Sequence, residues 1–201
     1  MGTRSLIMVK SDGKFKVAQH SNWDGNPSGQ GFGVVKFIKQ LNLDDIHLFK
    51  TKVDGITEWT DEDIDTYCLE LNHFELSRDA GSDILDLIYK DKIKKTHLSV
   101  NFAGNSLFCE WGWSINLDTN CLDCFKGFHT KPLEPNQPFY FLQDKMNKGD
   151  KYYPIKLICS IPFDELFKFI TGYEFEDYIY EILQMGDNEI MDNGIPKNWE
   201  E

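Results

Sequence analysis

The pattern of apolar and polar positions along the chain predicts a series of β-strands. Residues 5–20 form a predicted hairpin, because an apolar strand at Leu6–Val9 precedes a turn at Ser11–Gly13 and an alternating strand. A second hairpin is predicted over 106–128, where every second residue of the first half is apolar and a turn follows at Asp118–Asn120. Two more apolar stretches are predicted strands: 96–102 and 155–161.

Apolar residues at helical spacing predict the remaining elements. One helix begins near Gly33 and continues to Leu41. A capping-box pattern at Thr60–Asp63 predicts an acidic helix. Three further helices are predicted from Ser82, from Pro162 and through residues 175–182. Because strands and helices come in groups and antiparallel hairpins dominate, the predicted fold class is α+β, an antiparallel sheet built from hairpins with flanking helices. We expect a single domain over 1–201 with an acidic C-terminal segment, 174–201.

Length and hydropathy narrow the class of protein. A chain of 201 residues with 41% hydrophobic residues is long enough for one well-packed domain. No apolar run approaches the roughly 20 residues that span a bilayer, and the N-terminus lacks the apolar core of a signal peptide. We therefore expect a cytoplasmic protein with no membrane partner.

The net charge of −12 is unevenly distributed along the chain. Residues 54–91 contain twelve acidic and two basic residues, and residues 174–201 contain nine acidic residues and one lysine. Residues 1–43 contain six basic and two acidic residues. Three interpretations of this asymmetry are open. The basic N-terminal portion binds phosphate, or an acidic face imitates nucleic acid, or the acidic residues form well-solvated helix faces that aid solubility.

The five cysteines predict reduced, structural thiols. Cys121 and Cys124 form a C-x-x-C pattern, but both fall on a predicted strand, where residues three apart point to opposite faces. The two thiols therefore do not converge on one ion, and no second C-x-x-C or paired histidines accompany them. We predict no metal and no cofactor.

The segment 22–33, NWDGNPSGQGFG, holds four of the fifteen glycines. Its G-x-G-x-G spacing matches neither the dinucleotide-binding fingerprint nor the P-loop. A glycine-rich turn that leads into a helix N-terminus still favours an anion, because free N–H groups and the helix dipole point at it. We expect Lys36 and Lys39, in the early turns of that helix, to add positive charge. The alternative is an ordinary tight connection.

The N-terminal residues also resemble a known pattern. The chain begins M-G-T-R, continues with W-D, and then has P-x-G-x-G before a helix. The matching positions are Met1–Arg4, Trp23, Asp24, Pro27, Gly29 and Gly31. In these features the chain is similar to a broad family of small proteins of bacteria, phages and some fungi, and the similarity covers most of residues 1–170. The family has no settled activity, so the resemblance implies the location of a site and no particular reaction.

Pairing of the first two strands predicts which side chains meet at that site. Arginine suits phosphate, histidine exchanges protons near neutral pH, aspartate orients the imidazole, and tryptophan stacks on a base. The predicted catalytic residues are His20, Arg4 and Asp24. The predicted substrate-binding residues are Thr3, Trp23, Gly29, Gly31 and Lys36. Together they suit metal-independent phosphodiester cleavage or nucleotide binding, and the alternative is a structural ion pair between Arg4 and Asp24.

Two functional hypotheses follow. The composition is typical of a phage or plasmid accessory protein from an AT-rich genome. On the first hypothesis the protein acts on RNA or a nucleotide through the N-terminal pocket, and counter-defence (anti-CRISPR) action that cleaves or binds a guide RNA is one role in that setting. The alternative is a non-enzymatic inhibitor whose acidic cluster, Asp61–Asp65, imitates nucleic acid. Its partner is a basic groove on a host protein, such as a nucleic-acid-guided nuclease.

Overall fold

A computed structural model describes residues 2–60, 78–145, 149 and 151–191, with side chains as far as residue 185. It confirms the α+β class. The main sheet has five strands in the order β2-β1-β5-β6-β7. These strands are β1 Ser5–Ser11, β2 Lys14–Ser21, β5 Trp111–Asn116, β6 Cys121–Lys126 and β7 Lys156–Pro162. A two-residue pair, β3 Thr57–Glu58 with β4 Lys95–Thr96, lies outside this sheet.

Both predicted hairpins are present, as the antiparallel pairs β1–β2 and β5–β6. The strand predicted over 155–161 becomes β7, antiparallel to β6. The two hairpins are joined at the centre by a parallel pairing of β1 with β5, which sets Ser5 opposite Trp111. Every residue of β5 is buried, as expected for a strand covered on both faces.

Four α-helices occur in the described part of the chain. They are α1 Phe32–Lys39, α2 Leu43–Asp54, α3 Asp83–Tyr89 and α4 Gly172–Met191. The helices predicted near Gly33, from Ser82 and through residues 175–182 correspond to α1, α3 and α4. The helix predicted from Pro162 is a 3-10 helix, Phe163–Lys168. The acidic helix predicted from Thr60, with the Asp61–Asp65 cluster, falls outside the described residues.

Three expectations need correction. No helix was predicted over 43–54, yet α2 begins with a reciprocal capping box in which Asn42 and Asp45 each accept from the other's backbone N–H. The strand predicted over 96–102 is present only in part, because Leu98 makes an isolated bridge to Ala18 and Val100–Gly104 forms a 3-10 helix. The first strand of the second hairpin starts only at Trp111, since Leu107 and Phe108 lie in an exposed turn.

The sheet is covered on both faces. The helices pack on one face against a large cluster that includes Ile7, Trp113 and Phe49. A smaller cluster on the other face includes Leu6, Met8, Phe125 and Phe139. Burial of these side chains supplies the main stabilisation of the fold. Among the described helices, none combines the length and apolarity that a membrane crossing requires.

One end of the sheet collects the N-terminal residues of interest. Strands β1 and β5 begin there, and β2 and β6 end there. Arg4 precedes β1 and Glu110 precedes β5, and the two backbones are bonded because the Glu110 N–H donates to the Arg4 carbonyl at 3.2 Å. The connection from β2 to α1 starts at the same end, with the Gly25 N–H donating to the Thr3 carbonyl at 2.9 Å.

Candidate functional site

Three backbone N–H groups of the glycine turn, residues 22–33, have their partners within the turn. Pro27–Gly31 forms a kinked turn, with non-helical backbone at Gly29, that leads directly into α1. The N–H groups of Gly29 and Gly31 both donate to the Asn26 carbonyl at 3.2 Å, and the Gln30 N–H donates to the Asp24 carbonyl at 2.6 Å. These three donors are therefore engaged within the turn and do not point at a ligand.

Close packing explains two of the glycines. A Cβ on Gly29 would overlap the carbonyl oxygen of Asp24, and a Cβ on Gly31 would lie 2.8 Å from the Trp113 ring. The same indole donates from Nε1 to the Gly25 carbonyl at 2.9 Å. The turn is thus pressed onto the buried Trp113, and the absence of side chains at Gly29 and Gly31 makes this approach possible.

A shallow depression of about 330 Å³ lies beside the glycine turn. Its lining residues are Asp24, Asn26, Ser28, Gly29, Gly172 and Tyr173. Asp24 is exposed, and the Asn26 amide donates to the Glu176 carboxylate at 3.2 Å. Asp24 therefore places one carboxylate at the depression and Glu176 places a second beside the lining Asn26, and this negative charge opposes the binding of an anion.

The two lysines of α1 lie at its other end. Lys36 and Lys39 occupy the last turn of the helix, so the prediction that they sit in its early turns is wrong. Lys36 is exposed, with its ammonium 5.7 Å from the Phe32 ring centroid, and Lys39 donates to the Phe169 carbonyl at 2.6 Å. Cations at a helix C-terminus complement the dipole, which accounts for both residues.

Arg4 is held by groups other than Asp24. Its Nε lies 3.8 Å from Oε1 of Glu110, and its guanidinium sits 4.8 Å from the centroid of the Phe108 ring. The Arg4 side chain keeps 29% of its surface exposed. Within the described ranges no ion pair joins Arg4 to Asp24. The N-terminal residues are instead held against the glycine turn by the Thr3 carbonyl, which accepts from the Gly25 N–H.

His20 lies on the same face of the β1–β2 pair as Leu6, its direct partner. The imidazole is half-buried and stacks on Phe102 with 3.8 Å between ring centroids. Its Nε2 atom is shielded from solvent and has no hydrogen-bond partner in the described part of the chain. Burial, followed by the positive charges of Arg78 and Arg4, lowers the pKa of His20 to about 4. The imidazole is therefore neutral at neutral pH.

Arg78 is the functional candidate that the sequence prediction omitted. The chain has only two arginines, Arg4 and Arg78, against nineteen lysines. The positive charge of each helps to lower the pKa of His20. The Asn22 N–H donates to the Arg78 carbonyl at 3.1 Å, which fixes this exposed arginine beside the end of β2. The signal available in the sequence was the scarcity of arginine, whose planar guanidinium group suits phosphate better than the lysine ammonium does. We call Arg4, His20 and Arg78 the cationic end.

Trp23 adds an aromatic ring next to the cationic end. The side chain is 55% exposed, although its Nε1 donates to Asp79 at 2.8 Å. Gly2 packs against the indole ring so closely that a Cβ there would collide with it. The ring is therefore both held in place and open to solvent, which is the property that base stacking requires.

A second cation lies between aromatic rings at the neighbouring strand end. The Lys126 ammonium is 4.4 Å from the Trp111 ring centroid and 4.8 Å from that of Phe128. Burial lowers the pKa of Lys126, and the nearby Glu110 carboxylate opposes that shift. Cation–π contact compensates this lysine for the loss of water.

The cysteines form no metal site in the ranges described, where no group of three or more His, Cys, Asp or Glu is arranged to hold an ion. Cys121 and Cys124 lie on β6, as predicted.

Comparison of the chain with family models, with curated proteins and with solved structures gives no match. Function must therefore be argued from the geometry of the site.

Proposed function

We propose that the protein binds single-stranded RNA or a nucleotide at the cationic end, with Arg4 and Arg78 engaging a phosphate group. The observation that carries the proposal is that both arginines of the chain lie at one end of the sheet, since Arg4 directly precedes β1 and the Arg78 carbonyl accepts from the Asn22 N–H just after β2. Two positive charges at one end of the sheet attract an anion. Guanidinium groups bind phosphate through two parallel hydrogen bonds, which suits arginine better than lysine to this task.

The aromatic rings around the arginines supply surfaces for bases. Trp23 is 55% exposed and Phe108 is 45% exposed, and Arg4 already stacks on Phe108. Base–aromatic stacking is worth roughly 1–3 kcal/mol per base and depends little on sequence. Arginine for the backbone and aromatic rings for the bases is the combination found in proteins that bind single strands.

The state of His20 favours binding over proton transfer. With a pKa of about 4, the imidazole is neutral at neutral pH, so it has no imidazolium proton to give as a general acid and is a weak general base. Its Nε2 is also shielded from solvent. A bound phosphate would raise the pKa of His20, because a nearby negative charge favours the protonated ring. We therefore propose a binding site, and cleavage is an outcome that the experiment below must test separately.

The net charge of −12 limits how such a site works. The protein as a whole repels a polyanion, so affinity must come from a few local contacts and not from a broad basic surface. Two phosphate-binding arginines predict a slope of log K against log salt concentration of roughly −1.4 for a single strand. A protein with an extended basic groove gives a much steeper slope.

The test is fluorescence anisotropy with a labelled, short single-stranded RNA and, separately, with a labelled adenine nucleotide. Arg78→Met is the main variant, because this side chain is exposed and its loss leaves the core intact. We expect Arg78→Met and Arg4→Met each to weaken binding about tenfold, since a charge-assisted contact is worth roughly 1.5–3 kcal/mol. Arg78→Lys should recover only part of the loss.

The matched control is Lys36→Met, which removes one exposed positive charge from the C-terminal turn of α1. Thermal melts establish that each variant is folded. Equal weakening in Lys36→Met and Arg78→Met would show non-specific attraction and contradict the proposal. Tight binding that neither arginine substitution changes would place the site elsewhere.

The same protein variants also test the proposed action on a guide RNA. We propose that the protein is a phage or plasmid accessory protein and that its substrate is the guide RNA of a CRISPR nuclease. The assay therefore includes this guide RNA both free and bound to the nuclease. Gel analysis with and without EDTA detects cleavage. Intact RNA with arginine-dependent binding supports a binder, whereas cleavage that survives EDTA and is lost in His20→Gln would restore the catalytic assignment of His20.

A further inference from the structure

Cys124 and Cys159 form a directly opposed pair on neighbouring strands. They are register partners in the antiparallel pairing of β6 with β7, and a bulge on β7 immediately precedes Cys159. Both side chains point to the face covered by helices, where Cys124 belongs to the large core cluster and Cys159 packs against it. The Cys124 thiol donates to the Leu122 carbonyl on its own strand at 3.8 Å. Both are free thiols in this structure.

The spacing of such a pair matches that of a disulfide. Directly opposed residues of an antiparallel pair have Cα atoms about 4.5–5.5 Å apart. Disulfides span Cα separations of about 4.4–6.8 Å. Bond formation therefore needs adjustment of side-chain torsions and no rearrangement of the strands.

We propose that Cys124 and Cys159 are an oxidation site at which a disulfide such as oxidised glutathione installs a reversible bond between β6 and the edge strand β7. Cys159 is partly exposed and reacts first. Its thiolate attacks one sulfur of glutathione disulfide, and one glutathione thiolate leaves. The Cys124 thiolate then attacks the Cys159 sulfur and expels the second glutathione. The two protein protons pass to the two glutathione thiolates.

Burial decides the rate of this reaction. Cys124 is fully buried, and burial together with the neighbouring Cys159 raises its pKa well above the usual range. Because the thiolate is the attacking species, the second step accelerates as pH rises. The bond is therefore one that sustained oxidising conditions install slowly, and a thiol reductant reverses it.

The chain offers internal controls. Cys121 is on β6 as well, but three residues from Cys124 it points to the opposite face of the sheet. Cys109 is fully buried, and burial raises the pKa of its thiol beyond the usual range. Neither thiol is a register partner of another cysteine in the described strands.

The experiment incubates the folded protein with oxidised glutathione at mildly alkaline pH, blocks free thiols, and maps peptides by mass spectrometry without reduction. We expect a cross-linked peptide pair joining Cys124 to Cys159, with the loss of two hydrogens, and faster formation at higher pH. The melting temperature should rise by roughly 5–10 °C on oxidation and return to its starting value on reduction. Cys121→Ser should form the bond normally, and Cys159→Ser should lack both the bond and the shift.

Three results would overturn the proposal. In the first, glutathione stays on Cys159 as a mixed disulfide in the folded protein. In the second, the cross-link involves Cys121 in place of Cys124. In the third, the bond forms only when the protein is oxidised in urea. Cys159→Ser is expected to fold, because a partly exposed thiol is replaced by a hydroxyl of similar size.

Discussion

The glycine turn and the cationic end lie at the same end of the sheet, and their chemistry differs. The turn has the sequence features usually linked to anion binding, but its N–H groups donate to Asn26 and Asp24 within the turn. The Asp24 carboxylate lines the depression beside it, and the Glu176 carboxylate accepts from the lining Asn26. The cationic end has no motif, yet it brings both arginines of the chain to the strand end that carries the half-buried His20.

The comparison shows that glycine density can report packing instead of ligand binding. Gly31 is required because the turn lies against Trp113, and Gly29 is required because the chain folds back on Asp24. Residues far apart in sequence make the charged site, since Arg4 and Arg78 are brought together only by the strand pairing and by a backbone bond to Asn22. A local motif search cannot detect such a site.

The largest expected effect comes from Gly29→Ala. The new methyl group meets the backbone of Asp24, which cannot move aside as a flexible side chain would. We expect a loss of about 3 kcal/mol in the free energy of unfolding, measured by urea denaturation. Gly55→Ala is the matched control, because its Cβ would lie 3.4 Å from the nearest atom, an ordinary contact. Equal stability of the two variants would refute a packing role for Gly29.

A smaller effect should appear in the pH dependence of stability at the cationic end. The pKa of His20 falls from 6.5 to about 4 on folding, so between these values the unfolded chain binds the extra proton. Stability contributed by the neutral ring is therefore present above about pH 6.5 and lost as pH falls to about 4. Discounted for the partial exposure of the ring, the loss is about 1–2 kcal/mol.

The measurement compares urea denaturation of the wild type and His20→Gln at neutral pH and near pH 4.5. We expect the wild type to lose about 1–2 kcal/mol more than the variant. His47→Gln, an exposed position on α2, should behave as the wild type does. If the wild type and His20→Gln lose stability in parallel, folding does not lower the pKa of His20.

Local patterns predicted the fold better than they predicted the site. Alternation and turn residues located both hairpins and β7, because a half-buried strand imposes a two-residue period on its sequence. The parallel pairing of β1 with β5 has no such local mark. Helix α2 was predictable from its Asn42–Asp45 capping box, whereas Val100–Gly104 is apolar enough to imitate a strand.

The predicted site residues were chosen from one stretch of chain, and this explains the part that was missed. Arg4, His20 and Trp23 do lie at one sheet end, since strand pairing brings neighbouring turns together. Arg78 and Glu110 come from distant segments and could not be assigned from local sequence. The depression beside Asp24 likewise depends on Gly172 and Tyr173 of α4.

A modest gain in affinity should follow Glu110→Gln. Glu110 lies 3.8 Å from Arg4 and competes with a phosphate for the guanidinium. Removing its charge should tighten RNA binding about threefold, equal to about 0.6 kcal/mol, in the anisotropy assay. Glu165→Gln is the control, because it removes an exposed carboxylate that pairs with Lys168. An unchanged affinity in Glu110→Gln would mean that Arg4 does not contact the ligand.

The smallest effect separates the two regions directly. Asp24→Asn removes the exposed carboxylate that borders the depression, while the backbone carbonyl that accepts from Gln30 remains. Asn also tolerates the positive φ of 52° at this position, so the turn should keep its stability. If RNA binds at the cationic end, affinity should change by less than about twofold, since an exposed charge outside the contact is screened by salt. A gain of tenfold or more would instead place the ligand in the depression, and the acidic border, not the pair of arginines, would then control binding.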